Sequence, residues 1–369
     1  MAKKFIQDVL SSAGIKVNGT QPWDIHIKNE RFYDRTLKKG SLGLGESYMD
    51  GWWECDRIDE FFYRLIQTDP EAKIRNNKKM LFKILASNLI NKSRKSKAYE
   101  IGEKHYDIGN ELFSHMLDKR MVYTCGYWKD TQSLDEAQEA KLDLICRKLQ
   151  LKPQHRVLDI GCGWGSFAKF AAEKYGAHVV GVTVSKEQAE LGMNMCKGLP
   201  VELRLQDYRD VKEKFDHIVS LGMFEHVGFL NYHTYMKVAH NCLKDDGLFL
   251  LHTIGNIKTQ TTTDEWMAKY IFPNSHLPSV KQISSSLERL FRIEDLHNIG
   301  THYDTTLMAW FRNFDANWHK LSHKYGDRFY RMWKYYLLMC AGLFRARSLQ
   351  LWQIVLSKKG SVREYASVR

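Results

Sequence analysis

The sequence predicts an α/β protein whose main part is a mostly parallel sheet with helices on both faces. From about residue 156, short runs rich in β-branched residues alternate with helix-length stretches, a pattern that is typical of βαβ units. The first of these runs leads directly into a glycine-rich turn. None of the six prolines falls within the predicted strands, and proline is rare inside a sheet. A small α+β unit is predicted before this part.

The elements are predicted in chain order as follows. Within the first 70 residues we expect helices over 5–13 and 57–67 and a short strand over 24–28. The stretch Gly40–Gly45 predicts a loop, and the paired tryptophans Trp52 and Trp53 after it are expected to pack locally. The main strands are predicted at 156–161, 177–183, 201–205, 215–220, 247–251 and 349–356. Residues 1–70, 71–99 and 100–369 are thus the expected α+β domain, linker and main domain.

The composition limits the classes of protein that the chain can belong to. Of its 369 residues, 44% are apolar and 27% charged, as in globular proteins with a core. No apolar run approaches the ~20 residues of a membrane-spanning helix, and the first eight residues turn polar too soon for a signal peptide. The seven cysteines form no CxxC pair. We therefore expect a cytoplasmic protein without disulfides and without a metal site.

The positive charge is concentrated in the predicted linker. Nine basic residues lie between Lys73 and Lys97 without an intervening acid, and without them the net charge of +12 would be +3. Leucine and isoleucine recur there at helical spacing. A basic amphipathic helix can lie on an anionic bilayer, it can be a solvated helix docked on its own protein, or it can bind nucleic acid.

The sharpest motif is Val157–Gly165 (VLDIGCGWG), a strand that runs into a glycine-rich turn before a helix over 167–174. Gly161 and Gly163 allow the backbone to pass close to a ligand at the carboxyl end of the strand. Dinucleotide enzymes use a similar turn. Asp159, however, would face a pyrophosphate unfavourably, whereas it could hold the ammonium group of S-adenosylmethionine directly or through water.

This phrase resembles motif I of the class I S-adenosylmethionine-dependent methyltransferases, which implies a Rossmann-like sheet. Those proteins usually carry an acid at the end of the second strand, and the stretch 181–185 has none. Thr183 and Gln188 are expected to bind the ribose instead, and the residues after the third strand are expected at the adenine. The full predicted cofactor set is Tyr123, Thr124, Asp159, Gly161, Cys162, Gly163, Thr183, Gln188, Gln206, Asp207 and Tyr208.

Further motifs resemble the bacterial cyclopropane-fatty-acyl-phospholipid synthases and the related mycolic acid cyclopropane synthases and methyltransferases. They extend over nearly the whole chain, at 103–110, 123–128, 183–188, 223–228, 252–255, 303–310 and 340–345. The stretch Gly40–Asp56 resembles only the phospholipid synthases. The missing acid after the second strand is also the pattern of this family.

The resemblance implies transfer of a methylene from S-adenosylmethionine to the cis double bond of an unsaturated phospholipid acyl chain. An alkene has no proton to lose before attack, so the site must mainly hold the reactants together in a dry cavity. The transfer leaves a carbocation, which aromatic faces stabilise. Twelve aromatic residues lie between Tyr303 and Phe344. We expect a helical substrate cap there, and we expect most of these rings to pack within it.

Ring closure requires a base that takes a proton from the new methyl group. The resemblance implies a bound bicarbonate for this step, held by Cys125, Glu225, His252, Ile254 and Tyr303. A small anion beside Glu225 requires a bridging proton or a neutral carboxyl group.

Cys340 matches a family cysteine that was considered a nucleophile, and it is kept as a catalytic candidate with packing as the alternative. His105, Tyr106 and Asp107 are expected to close the site, and Asp107 could instead cap a helix.

The resemblance also implies the partners: unsaturated phospholipid at the inner face of the cell membrane, reached peripherally, and a second copy of the chain in a homodimer. Nucleic acid is not an expected partner. Amino-methylating enzymes of nucleic acids commonly carry a Pro-Pro loop and cytosine-5 enzymes a Pro-Cys pair, and the sequence has neither. A non-catalytic lipid-binding relative is the third alternative, which the intact glycines, Glu225 and His252 disfavour.

Overall fold

The computed structural model describes residues 2–68, 109–362 and 364–369. Its contacts divide the chain into two compact units. The helical unit consists of Met1–Met116, Thr263–Asn274 and Leu307–Ser348, and the sheet unit of Leu117–Thr262, Ser275–Thr306 and Leu349–Arg369. The basic stretch Lys73–Lys97, the residues His105, Tyr106 and Asp107, and the predicted boundaries of the linker all lie outside the described residues.

The α-helices of the described residues differ in length. They are α1 (Ala2–Ser12), α2 (Arg31–Met49), α3 (Ile58–Gln67), α4 (Asn110–Met116), α5 (Leu134–Lys148), α6 (Ser166–Tyr175), α7 (Lys186–Met195), α8 (Tyr232–Cys242), α9 (Glu265–Tyr270), α10 (Val280–Leu287) and α11 (His302–Arg345). The strands are β1 (His26–Ile27), β2 (Trp53–Glu54), β3 (Arg156–Ile160), β4 (His178–Thr183), β5 (Val201–Leu205), β6 (Phe215–Leu221), β7 (Leu243–Asn256), β8 (Phe291–Asn298) and β9 (Leu349–Lys358).

The sheet unit is built on seven strands in the order β5-β4-β3-β6-β7-β9-β8. The first five strands are parallel to one another, whereas β9 runs antiparallel to both β7 and β8. The predicted mostly parallel sheet is confirmed, and so are all six predicted strands. The edge strand β8 was not predicted, because only two of its eight residues are buried and its sequence FRIEDLHN is mostly polar.

Helices cover both faces of this sheet, as predicted. Alternate residues of β3 point to opposite sides: Leu158 and Ile160 join the cluster packed under α8 and α10, whereas Val157 joins the cluster packed under α5 and α6. Burial of these apolar faces is the main stabilising contribution to such a layered sheet.

The helical unit contains one clear correction to the sequence prediction. The loop predicted at Gly40–Gly45 is wrong, because these residues lie within α2, which is interrupted only at Gly40, with φ 54° and ψ −129°. A Cβ at Gly43 would lie 2.3 Å from the backbone oxygen of Arg35, and one at Gly45 would lie 2.4 Å from the ring of Trp266. The glycines therefore permit close packing across a kink and do not mark a loop.

The predicted local packing of the paired tryptophans is confirmed for Trp53. Its side chain is fully buried, and its ring lies 5.0–6.4 Å from the rings of Phe32, Tyr48, Phe61 and Tyr335. The aromatic segment 303–344 is helical, as expected, and α11 breaks at Gly326, where φ is 72°. In the part of the chain that the structure describes, no helix is both long and apolar enough to cross a membrane.

Candidate active site

The glycine-rich turn joins β3 to α6 at the carboxyl end of the parallel strands. Gly161, Gly163 and Gly165 all have positive φ angles of 81°, 55° and 77°, which side chains rarely adopt. A Cβ at Gly161 would lie 2.5 Å from the side chain of Met223, whereas one at Gly163 would have open space around it. The turn is therefore packed on one side and leaves room for a ligand above Gly163, while Cys162 between them is buried.

Asp159 is the second feature of this end of the sheet. Its side chain is buried, and its Oδ1 has no hydrogen-bond partner among the described residues. Burial raises the pKa of Asp159 to about 7, and the charge of Lys141 opposes this shift. A buried acceptor without a donor is costly unless a ligand completes it. The ammonium group of S-adenosylmethionine is a donor of the required kind, so the residues fit this methyl donor.

The structure joins the residues predicted for the ribose and the adenine. Thr183 donates a hydrogen bond of 3.0 Å to Oε1 of Gln188 and receives one of 3.2 Å from the amide of Ser185. The amide of Gln206 donates to the carbonyl of Thr183 at 3.0 Å. The ends of β4 and β5 are thereby held side by side.

Beyond Gln206 the chain forms a short 3-10 turn over Tyr208–Asp210. Asp207 caps this turn and binds the guanidinium group of Arg209 at 2.7 Å. The hydrogen bond from Arg209 lowers the pKa of Asp207, so its carboxylate is ionised at neutral pH. Tyr208 is half-buried, with its ring 5.1 Å from the ring of Tyr235. The structure thus places the predicted adenine residues beside the predicted ribose pair.

The loop with Tyr123, Thr124 and Cys125 is fixed by two buried polar side chains of α5. The side-chain amide of Gln138 donates to the carbonyl of Thr124 at 2.7 Å, and Nζ of Lys141 donates to the Thr124 hydroxyl at 2.9 Å. Lys141 is completely buried, and burial lowers its pKa to about 8. This lysine also carries the charge that acts on Asp159.

Gln138 and Lys141 are absent from the sequence predictions, although the sequence contains a signal for them. Ser133 and Glu136 form a capping box that fixes the start of α5. Leu142, Ile145 and Leu149 then recur at helical spacing, and the stripe extended backwards runs through positions 138 and 141. Polar residues on the apolar stripe of a helix indicate buried polar contacts.

Cys125 and Tyr303 are connected through the first turns of α11. The Cys125 sulfur lies 3.6 Å from the hydroxyl of Thr306, and the amide of Gly126 donates to the same hydroxyl at 3.1 Å. Tyr303 is three residues before Thr306, which places both on one face of the helix, and its side chain is buried. Burial raises the pKa of Cys125 to about 12, so its thiol is protonated at neutral pH.

Glu225 follows β6, and His252 lies within the neighbouring strand β7, four residues before its end. The amide of Ile254 donates a hydrogen bond of 2.6 Å to Oε1 of Glu225, and the amide of Gly222 donates to the carbonyl of His252 at 2.9 Å. Both side chains are buried. Their remaining atoms, Oε2 of Glu225 and Nε2 of His252, have no hydrogen-bond partner in the described ranges.

Burial shifts both of these side chains toward their neutral forms. Burial raises the pKa of Glu225 to about 7, although the hydrogen bond from Ile254 opposes the shift. Burial lowers the pKa of His252 well below its ordinary value, and the charges of Lys141 and Lys148 lower it further. The imidazole is therefore neutral, and the carboxyl group is close to half protonated at pH 7. This arrangement removes the repulsion that an ionised Glu225 would exert on a small anion.

Cys340 is the one catalytic candidate that belongs to the helical unit. It lies in α11 and is buried, and burial raises the pKa of its thiol to about 12. A thiol in this environment behaves as a small apolar residue. Cys125, Glu225, His252, Ile254 and Tyr303 all belong to the sheet unit.

The order of the seven strands, the turn at Gly161–Gly165 and the unpaired carboxylate of Asp159 define a class I methyltransferase that depends on S-adenosylmethionine. Comparison with known sequences places the chain more narrowly. Residues 93–354 match the sequence profile of the mycolic acid cyclopropane synthetase family, and the chain belongs to that family.

Similar proteins of known sequence and structure agree with this family. The chain is 54% identical over 355 residues to the cyclopropane-fatty-acyl-phospholipid synthase of Escherichia coli strain K12, covering 96% of this chain and 93% of the relative. The cyclopropane synthase MmaA2 from Mycobacterium tuberculosis superimposes with a TM-score of 0.65 at 30% identity, covering 71% of this chain and 98% of the other.

The mycolic acid cyclopropane synthase CmaA1, solved in complex with SAH and CTAB, gives a TM-score of 0.65 at 32% identity, covering 69% of this chain and 96% of the other. These two structures match about 70% of the chain, whereas the phospholipid synthase matches nearly all of it.

Proposed function

We propose that this protein is a cyclopropane-fatty-acyl-phospholipid synthase, which adds a methylene to the cis double bond of an unsaturated phospholipid acyl chain. The observation that carries the proposal is the pair of buried side chains Glu225, after β6, and His252, within β7, each with one polar atom that has no partner among the described residues. The match to the phospholipid synthase over 96% of the chain supports the choice of substrate. This match favours a lipid over the nucleic-acid alternative.

When bound, S-adenosylmethionine supplies its sulfonium methyl group to the alkene, and the cyclopropane ring forms once that methyl group loses a proton. We assign the ammonium group of the methyl donor to Asp159. We expect the methyl donor to lie close to the protein backbone at Gly163, where the space is open. Thr183 and Gln188 would hold the ribose, and Gln206, Asp207 and Tyr208 the adenine.

The proton must leave to a base inside the site, because a dry cavity has no bulk water to take it. Oε2 of Glu225 and Nε2 of His252 offer two unpaired atoms for a bicarbonate ion, with Ile254, Cys125 and Tyr303 as the remaining proposed neighbours. A protonated Glu225 donates a hydrogen bond to such an ion and does not repel it. Bicarbonate would supply the basic oxygen that receives the proton.

No thiolate is needed for this chemistry, and burial, which raises the pKa of Cys340 to about 12, keeps its thiol protonated at neutral pH. We assign Cys340 to packing of α11. The family resemblance further supports a cytoplasmic homodimer that meets the inner face of the membrane peripherally, with residues 1–70, 71–99 and 100–369 as its domains.

The direct test is mass spectrometry of the lipids after the protein is incubated with S-adenosylmethionine and an unsaturated phospholipid. We expect a product that gains one CH2 and loses its double bond. Glu225→Gln serves as the matched control, since it keeps the size of the side chain and removes its acid. A methyl group added with the double bond retained would replace the proposal with a methyl-branching activity.

A further inference from the structure

Four large apolar side chains stand exposed at the carboxyl end of the sheet, and three of them are close in sequence to Glu225 or Ile254. Phe229 and Leu230 follow β6, Ile257 follows β7, and Val280 begins α10. Their exposed fractions are 38%, 82%, 64% and 42%. We call these four residues the apolar edge. Single exposed apolar residues are ordinary, but grouped ones mark surfaces that contact a partner or a membrane.

The segment 275–282 ties the three parts of the apolar edge together. The amide of His276 donates to the carbonyl of Glu225 at 2.7 Å, and the ring of Phe229 lies 5.4 Å from that of His276. On the other side, the amide of Asn256 donates to the carbonyl of Pro278 at 2.8 Å. The residues on either side of this segment are therefore neighbours in the fold and form one surface.

The stretches of chain that carry the apolar edge contain basic residues and no acidic ones. Lys258 and Lys281 directly follow Ile257 and Val280, and both are exposed. The stretches 226–242, 256–262 and 275–287, which contain all four residues of the edge, include no aspartate or glutamate. Exposed apolar side chains next to lysines match a bilayer that carries anionic headgroups. The apolar side chains enter the interface, while the lysines stay at the headgroups.

The apolar edge is also continuous with the proposed site. Glu225 lies four residues before Phe229, and Ile254, which donates to Glu225, lies three residues before Ile257. A surface that sits in the headgroup layer at this point would bring the unpaired atoms of Glu225 and His252 near the acyl chains.

We propose that Phe229, Leu230, Ile257 and Val280, with Lys258 and Lys281, form the surface by which the sheet unit docks on an anionic phospholipid bilayer. This inference rests on the proposed function, since docking serves to deliver a phospholipid chain to that site.

The test measures binding to vesicles of dimyristoyl phosphatidylglycerol, whose saturated chains cannot be substrates. This choice makes the result independent of whether the protein forms cyclopropanes. Leu230→Asp and Ile257→Asp should each weaken vesicle binding about tenfold. Each removes an apolar side chain from the interface and adds a negative charge, which the anionic headgroups repel. Lys258→Glu combined with Lys281→Glu should weaken it by a similar factor at low salt and much less at high salt.

Val362→Asp is the matched control, because Val362 is 97% exposed and lies in the C-terminal stretch after β9. Its vesicle binding should equal that of the unchanged protein. Affinity for S-adenosylmethionine, measured by calorimetry, should stay within twofold in every variant, which shows that the site is folded. Unchanged vesicle binding by Leu230→Asp and Ile257→Asp would overturn the proposal. So would a change from dimer to monomer with vesicle binding intact, since the edge would then be an interface between copies.

A second measurement avoids charged substitutions altogether. All seven native cysteines are buried, so Leu230→Cys and Val362→Cys can each be labelled at the new thiol with a polarity-sensitive dye. The dye at position 230 should shift to the blue when vesicles are added, and the dye at position 362 should not. Equal responses at the two positions would contradict the proposal.

Discussion

Glu225 and Asp159 are buried acids whose pKa values are both raised to about 7 by loss of solvent. Burial favours the neutral form of each acid, so each is close to half protonated at pH 7. For Glu225 the consequence is catalytic, because a neutral carboxyl group can share a proton with an anion. For Asp159 the consequence is that the methyl donor's ammonium group would restore the ionised form.

The raised pKa of Glu225 predicts a pH dependence of stability. Because its folded-state pKa is about 7 and its ordinary value 4.5, the folded state binds more protons between these values. The free energy of unfolding should therefore fall as pH rises from about 5 to 8, by up to ~3 kcal/mol from this group. Denaturant unfolding of Glu225→Gln and the unchanged protein at pH 5 and pH 8 measures the difference. Parallel losses in the two proteins would exclude Glu225 as a source.

Lys141 is expected to position the cofactor loop and to set the charge of Asp159. Lys141→Met removes the 2.9 Å hydrogen bond to Thr124 and the charge that lowers the pKa of Asp159. Affinity for S-adenosylmethionine should fall about tenfold at pH 7, and its pH midpoint should move upward. Calorimetric titration from pH 6 to 9 measures both effects.

Lys148→Met is the matched control for Lys141→Met. Lys148 is another buried lysine of α5, and burial also lowers its pKa to about 8, but its partner is Asp295 at 3.6 Å. This variant should lose stability and keep its affinity for S-adenosylmethionine. Equal losses of affinity in the two variants would show that Lys141 acts only through the stability of α5.

Replacement of Cys340 tests whether its thiol takes part in the reaction. Because burial raises the pKa of its thiol to about 12, Cys340→Ala should keep turnover within about threefold and lose ~1 kcal/mol of unfolding free energy. Steady-state rates and denaturant unfolding measure the two quantities. A fall of turnover by a hundredfold with intact binding of S-adenosylmethionine would show that the thiol takes part in the reaction.

At the scale of helices and strands, the sequence predicted the elements that have a regular residue pattern. β-branched runs predicted six strands of the main sheet, and the motif around Asp159 and Gly161 predicted the turn after β3. The pattern failed at α2, where glycine serves packing contacts between residues distant in sequence, and at β8, whose polar residues match an exposed edge. Gln138 and Lys141 were missed because burial by the rest of the fold, and not residue type, makes them functional.

The close packing of α2 predicts a large effect from a single methyl group. Gly43→Ala would bring a Cβ within 2.3 Å of the Arg35 carbonyl oxygen, and backbone must move to admit it. We expect a loss of about 1–3 kcal/mol in unfolding free energy, measured with denaturant. Gly109→Ala is the control, since its Cβ would lie 3.4 Å from the flexible end of Lys324. Gly43→Ala with unchanged stability would contradict the packing account.

At the scale of the whole molecule, the chain combines a methyltransferase sheet unit with a helical unit that includes its N-terminal residues. The solved mycolic acid synthases match about 70% of the chain, whereas the phospholipid synthase matches 96%. The match to the phospholipid synthase therefore extends over more of the chain than the match to either solved mycolic acid synthase.

We propose that the proton lost before ring closure comes from the transferred methyl group and is taken up at the site around Glu225 and His252. Incubation with S-adenosylmethionine bearing a trideuterated methyl group tests this most directly. Mass spectrometry of the lipid product should show two of the three deuterons retained and the double bond lost, and Glu225→Gln should slow this product's formation about a hundredfold or more. A product that keeps all three deuterons, or an undiminished rate in Glu225→Gln, would contradict the account.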